Sequence, residues 1–421
     1  MKKALLYLLF AVLALLLTAV VAAYLVAKLA LAPGPDEWPT RVKAGPFSLQ
    51  VGVPTAIRLA TSSWFAPWLE GRTLDTEHGV IHFGWTESNS TLELRCAPCS
   101  AMVPAFGSAP IRVDSLRVTV RRDTGLLNGI LEAVPAASSA SADNTLRARW
   151  DGKLTQKTLQ LHIDAPDMPV TRWYAVLAPG LAELQQARIG GTLGLRAQID
   201  LPAGSFTLQP RIAGFTVEGL GTEAMLGART QCGPPARLAA ESWLARAVMA
   251  AEDQRFFSHP GYDLVELVAS TRVNQKAGEA ERGASTLTQQ LARLLVAGGE
   301  RSIERKLREL LYAVEMEQTL GKGRILQLYL DNAPWGAELC GAEAAARRYF
   351  KRSARALDPA QAVWLAAMLN NPSRAVEQWR RTGSIDTPRA KWVAEGVRGI
   401  TRNQREALLK SVAAARFAPP P

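Results

Sequence analysis

Three short stretches hold most of the side chains that could do chemistry. Residues 252–263 read Glu-Asp-Gln-Arg-Phe-Phe-Ser-His-Pro-Gly-Tyr-Asp, residues 283–290 read Gly-Ala-Ser-Thr-Leu-Thr-Gln-Gln, and residues 305–309 read Arg-Lys-Leu-Arg-Glu. Glu252 stands at an expected helix-to-loop junction beside aromatic residues. Partial desolvation there raises a carboxyl pKa and suits it to general-base work. Asp253 is placed to orient the loop by accepting backbone hydrogen bonds. His259, ahead of Pro260-Gly261, is expected to fix the loop. Ser285 and Thr286 lie at an expected helix N-cap, where free N–H groups attract anions. Gln289 and Gln290 are candidates to hydrogen-bond sugar or phosphate. On a helix over 301–314, Arg301, Arg305, Arg308 and Glu309 share one sector about 100° wide, opposite an apolar stripe of Ile303, Leu307, Leu310, Leu311 and Val314. Planar, permanently charged guanidinium forks match phosphate oxygens. The bland alternatives are ordinary capping and a solvated face with an Arg305–Glu309 pair. Taken together, the residues equip a cleft shared by Glu252 and Glu309 to deprotonate a hydroxyl beside a bound diphosphate.

The elements that must carry these residues are helical. Periodicity predicts helices over 239–253, 287–296, 301–314, 324–330, 343–350 and 359–370. Residues 45–225 have a different texture. Leu116, Val118 and Val120 alternate with polar neighbours, as do Leu159, Leu161 and Ile163, then Leu193, Leu195, Ala197 and Ile199. Period-two alternation between turn residues predicts half-buried antiparallel strands. The N-terminus differs again. Residues 4–27 carry no charge and follow Lys2 and Lys3, which predicts a transmembrane helix with its N-terminus in the cytoplasm. The expected division is 1–35 as anchor and linker, 36–228 as a β-rich extracytoplasmic domain and 229–421 as an all-α domain: an α+β multidomain chain.

A net charge of +11 suits anionic lipid or a phosphorylated substrate, and no nucleic-acid motif accompanies it. Cys96 and Cys99 predict a local disulfide, because no second pair or His cluster completes a zinc site. Cys232 and Cys340 are candidates for a second bridge.

The three stretches resemble the peptidoglycan glycosyltransferases of glycosyltransferase family 51, in the order and spacing of that family's motifs. "EDQRFFSHPGYD", "GASTLTQQLAR" and "RSIERKLRE" look like its first three motifs. "ILQLYLDNAPWGAELCGAEAAARRYF" and "LDPAQAVWLAAMLNNPS" look like its fourth and fifth. The resemblance covers about residues 239–373 and implies a lysozyme-like fold. It implies Glu252 as catalytic base and Glu309 as the second essential carboxylate. Asp253, Ser285, Thr286, Gln289, Gln290, Arg293, Arg301, Arg305 and Arg308 are implied as substrate-binding residues. It leaves room for a divalent metal, Mg or Mn, held in part by Glu309. The implied partners are lipid II and the growing glycan strand, at the inner membrane, with the catalytic domain in the periplasm. No Ser-x-x-Lys or Lys-Thr-Gly motif is present, so the likeness is to the monofunctional type.

Departures from the family pattern fall at Ala284, Leu294, Gln327, Asp331 and Gln361. Residues 159–202 more distantly resemble the β-rich repeats of AsmA-like envelope proteins, which implies a scaffold or a lipid-contacting surface; a plain β-sandwich spacer is the alternative, and cell-wall synthesis proteins are the expected partners of the β-rich domain. Two rival functions follow: a non-catalytic, lipid II-binding envelope scaffold, and a glycan-cleaving enzyme that uses the same two carboxylates.

Overall fold

The computed structural model describes residues 32–44, 47–101, 111–135, 144–277, 283–298, 302–336 and 338–419, with isolated positions between 18 and 29. The expected membrane span over 4–27 and the site candidate Arg301 lie, largely or wholly, outside the described residues. Among the described residues no helix is long and apolar enough to cross a membrane.

An antiparallel β-sheet region precedes a helical region, as the two textures predict. A hairpin of β1 (Pro39–Ala44) and β2 (Phe47–Gly52) leads into helices α1 (Val53–Ala60) and α2 (Ala66–Leu69). The main sheet uses β3 (Thr73–Thr76), β4 (Gly79–Thr86), β5 (Thr91–Cys96), β8 (Ser115–Asp123), β9 (Leu126–Val134), β10 (Leu146–Leu154), β11 (Leu159–Pro169), β12 (Arg188–Leu201) and β13 (Ser205–Glu218). Its order is β13-β12-β11-β10-β9-β8-β5-β4-β3, while β6 (Cys99–Ala101) and β7 (Ile111–Val113) pair separately. The alternation has its expected consequence. Leu92, Val120, Leu127, Leu154 and Leu159 share one core, against which Ile57, Ala60 and Leu69 of α1 and α2 pack. In a neighbouring cross-strand row Arg117 bonds Glu93 and Glu132 at 2.7 and 3.1 Å, and Arg147 reaches Glu132 at 2.9 Å. Opposite charges facing each other across strands each add a few tenths of a kcal/mol, up to about 1 kcal/mol. Cys96 and Cys99 form the expected local disulfide.

Contacts divide the chain into two compact units. One holds Met1–Ala101, Arg112–Met168 and Leu193–Arg211; the other holds Met102–Ile111, Pro169–Thr192 and Ile212–Pro421. Residues Pro169–Thr192, including helix α3 (Val170–Leu177), therefore group with the helices, although strand texture surrounds them in the sequence.

The helical unit contains α4 (Trp243–Glu252), α5 (Leu264–Ala277), α6 (Leu287–Ala292), α7 (Ile303–Thr319), α8 (Gly321–Asn332), α9 (Ala342–Phe350), α10 (Pro359–Met368), α11 (Pro372–Thr382), α12 (Thr387–Gly396) and α13 (Arg402–Ala414). Residues Ala360 to Met368 of α10 are all buried. That accounts for a sequence apolar on every side, as expected of a helix at the centre of a core. Trp335, Trp379, Leu244, Leu287 and Leu291 complete that core. Ser242, Thr286, Ser302 and Asp358 cap α4, α6, α7 and α10 with their side-chain oxygens, satisfying N–H groups that a helix start leaves orphaned. Cys232 and Cys340 form the second disulfide.

Candidate active site

Helix α4 ends at Glu252, and Asp253 leaves the helical conformation with φ −162°. The turn that follows is held at several points. Asp253 is buried and accepts from His259 Nε2 at 2.9 Å and from the Leu287 N–H at 2.9 Å. The Gly261 N–H donates to His259 Nδ1 at 3.2 Å. Nδ1 is therefore the acceptor and Nε2 carries the proton, so a neutral imidazole satisfies both bonds. His259 thus fixes the loop, as its place before Pro260 suggested. Lys322 Nζ donates to the His259 carbonyl at 2.7 Å and lies 4.5 Å from the centre of the Phe256 ring. Gly261 has φ +94°, and a Cβ there would meet the Ala313 carbonyl oxygen at 2.9 Å. Only glycine lets the loop press this closely on α7.

Glu252 is left mostly buried, its side chain 12% exposed. Gln290 Nε2 donates to its Oε2 at 3.1 Å, and Arg389 Nη2 lies 3.4 Å from its Oε1. Tyr329 Oη in turn donates to Gln290 Oε1 at 3.0 Å, which orients the amide. Burial pushes the Glu252 carboxyl above its ordinary value. The Gln290 bond and the charges of Arg389 and Arg293 pull the other way, and Asp253 adds to the rise.

The α6 start follows the expected N-cap chemistry. Thr286 is the cap and forms a capping box with Gln289; its hydroxyl also donates to the Gly261 carbonyl at 2.7 Å. Gln289 is thereby committed to the helix start, whereas Gln290 faces Glu252. Ser285 accepts from Lys306 Nζ at 2.8 Å. Arg293 is exposed at the start of a π-helical turn, Arg293–Ala297. Such turns frequently occur at functional sites.

Helix α7 departs from the bland alternative of a solvated face. Glu309 is 1% exposed and Arg305 only 9%; their side chains pair with each other, and Lys306 Nζ reaches the second Glu309 oxygen at 2.5 Å. The Arg305–Glu309 pair is buried, not spread on a solvated face. Arg308 lies with Nε 2.9 Å from Glu183 Oε1 and keeps 32% of its side chain exposed. Burial lowers the Lys306 pKa, while Glu309 acts to raise it.

The two carboxylates are therefore tied to one segment. Gln290 holds Glu252, Ser285 shares Lys306 with Glu309, and the charge of Arg293 acts on both Glu252 and Lys306. Such an arrangement can accept a proton at Glu252 and present cations a short way off.

A divalent metal does not suit it. Both Glu309 oxygens are occupied by cations, and among the described residues no group of three His, Cys, Asp or Glu could hold a metal ion. Lys306, Arg389, Tyr329 and Glu183 are absent from the sequence-derived candidates. Lys306 was legible as an i,i+3 partner of Glu309; the other three arrive from distant segments.

Residues 236–398 match the Transglycosylase family. The chain thus carries a transglycosylase domain. Within it, 129 residues are 47% identical to a biosynthetic peptidoglycan transglycosylase of Thiobacillus denitrificans, covering 31% of this chain and 56% of that protein. Over 151 residues the identity to the protein of that name from Alcanivorax borkumensis is 42%, covering 36% and 61%. The Bordetella pertussis protein is 44% identical over 148 residues, covering 34% and 61%. The matches span less than two thirds of these relatives.

Several departures from the family pattern have local explanations in the transglycosylase domain. Ala284 is not among the residues with positive φ, so its Cβ is accommodated. Gln361 closes a capping box with Asp358, a task that glutamine and glutamate share. Asp331 accepts the Ala236 N–H at 2.8 Å, and burial raises its pKa. Gln327 is exposed. Leu294 lies on the π-helical turn, and nothing in the structure explains its choice.

Proposed function

We propose that the chain polymerises lipid II into β-1,4-linked glycan strands, with inversion at the donor sugar and release of undecaprenyl pyrophosphate. One observation carries the reading. A mostly buried Glu252 of raised pKa and a cation-flanked Glu309 are tied to the same segment, 285–293, within residues that match the Transglycosylase family. Glu252 takes the proton from the 4-hydroxyl of the acceptor GlcNAc, and the oxygen attacks C1 of the donor MurNAc from the face opposite the pyrophosphate. Gln290 orients the base, and Tyr329 orients Gln290. Arg293, Lys306 and Arg308 stabilise charge on the departing diphosphate; preorganised cations there act most strongly as the bond to C1 breaks. Glu309 holds Arg305 and Lys306 in position.

The same reading has the apolar run 4–27 as a single-pass anchor in the inner membrane, with the catalytic side in the envelope. Two disulfides support an oxidising compartment. The β-rich part is then available to cell-wall synthesis proteins. A scaffold would bind lipid II without turning it over, and a glycan-cleaving enzyme would act on finished sacculi. Glu252→Gln is expected to cut polymer formation from purified lipid II by about 10²–10⁴-fold, with thermal unfolding unchanged. Near-normal glycan product from that variant rejects the assignment. Release of fragments from sacculi by the wild type, without polymer from lipid II, favours the cleaving enzyme.

A further inference from the structure

Helix α7 carries Arg305, Lys306, Arg308 and Glu309, yet part of what grips it lies outside the transglycosylase match at 236–398. The buried Tyr174 of α3 donates from Oη to the Leu307 carbonyl at 3.1 Å. One short turn further, Glu183 sits in the 3₁₀ turn Ala182–Gln185, and its carboxylate lies 2.9 Å from Arg308 Nε. Val176, Ala178 and Leu181 are buried around it, so the turn is a packed element.

The chemistry of the Glu183–Arg308 contact is lopsided. Glu183 is buried, and neither its second oxygen nor Arg308 Nε has a hydrogen-bond partner, so the 2.9 Å contact is an ion pair made by proximity. The carboxylate is therefore spent on one edge of one guanidinium. Among the described residues Arg308 has no other ion pair and no hydrogen bond, so its Nη fork is left open on a side chain one third exposed. A fork with both Nη groups free can still make a bidentate contact to a phosphate. A long arginine drawn toward one fixed carboxylate also loses less rotational freedom when that contact forms.

We propose that Glu183 is a positioning residue for pyrophosphate recognition. It holds the Nε edge of Arg308 so that the Nη fork is aimed at the diphosphate of the lipid-linked donor, and Tyr174 fixes the height of α7 one residue earlier. The inference rests on the reading of Arg308 as a diphosphate-binding group.

Two measurements on the full chain test it. The first is binding of undecaprenyl pyrophosphate in detergent micelles to the wild type, Glu183→Gln, Arg308→Ala and the double variant. The second is the KM and kcat for lipid II with the same proteins. Glu183→Gln is expected to weaken binding and raise KM by roughly tenfold, the loss of one charge-assisted contact, with kcat and the unfolding temperature little changed. The double variant should be no weaker than Arg308→Ala alone, because Glu183 acts through that arginine. Glu183→Asp should recover part of the loss. Additive effects of the two substitutions overturn the proposal. So does a Glu183→Gln protein with unaltered affinity, or one that loses kcat and thermal stability together at constant KM. Should the wild type bind the pyrophosphate lipid but make no polymer, the proposed activity fails and the binding series still decides the role of Glu183.

Discussion

At the scale of single residues, the balance around Glu252 sets when the proposed base is available. Burial raises its pKa, so the carboxylate form is lost at a higher pH than for a free glutamate. A base works only when ionised; the acid limb of kcat/KM should therefore lie above the ordinary glutamate range. Arg389 and Arg293 oppose the rise. Replacing Arg389 by Gln removes one favourable charge, so the limb should move to still higher pH. A pH–rate profile that stays put, or moves toward acid, excludes control of Glu252 by Arg389. Glu309 behaves differently. With 1% exposure and a cation on each oxygen it is held as part of a buried ion cluster, and removing one member of such a cluster typically costs about 3–5 kcal/mol.

At the scale of elements, local chemistry was readable and distant chemistry was not. Ser285 and Thr286 read as the N-cap of a helix, and Thr286 does cap α6, whereas Gln289, read as a ligand for sugar or phosphate, closes the capping box instead. The strand alternation around Leu116–Val120 and Leu159–Ile163 likewise became sheet. The wheel of α7 left exposure open, since periodicity reports which residues share a face and says nothing about what covers that face. Here Arg305 and Glu309 satisfy each other in the interior, and Arg308 turns to Glu183, 125 residues earlier. Arg389 reaches Glu252 across 137 residues. No local window contains either pair. The Cys232–Cys340 bridge is the exception: cysteine count alone made it a candidate, and it spans 108 residues beside the segment that Asp331 anchors through Ala236. In the chain-entropy account a loop of that size contributes about 4–5 kcal/mol. Cys340→Ser, or reduction of the wild type, should therefore lower the unfolding temperature by many degrees. A melting curve indifferent to reductant would mean that the neighbouring hydrogen bonds already hold those ends together.

At the scale of the whole molecule, the transglycosylase domain does not end where its sequence match begins. Glu315 is buried on α7 and receives the N–H groups of Leu220 and Thr222 at 2.7 and 3.2 Å. The Thr222 and Thr319 hydroxyls bond each other at 2.8 Å. With Tyr174 and Glu183, these contacts supply the same helix from residues ahead of the boundary at 229 read from sequence texture. A buried carboxylate stripped of its donors is costly. A chain trimmed to 229–421 should melt well below the full-length protein and bind the pyrophosphate lipid more weakly, whereas one that keeps 169–228 should not. Equal melting temperatures for the two trimmed forms would show those contacts to be dispensable. Inhibitor screens commonly begin by cutting a catalytic module out at its homology borders. For this protein that habit would deliver a reagent in which Arg308 no longer meets Glu183 and the Leu307 carbonyl no longer meets Tyr174.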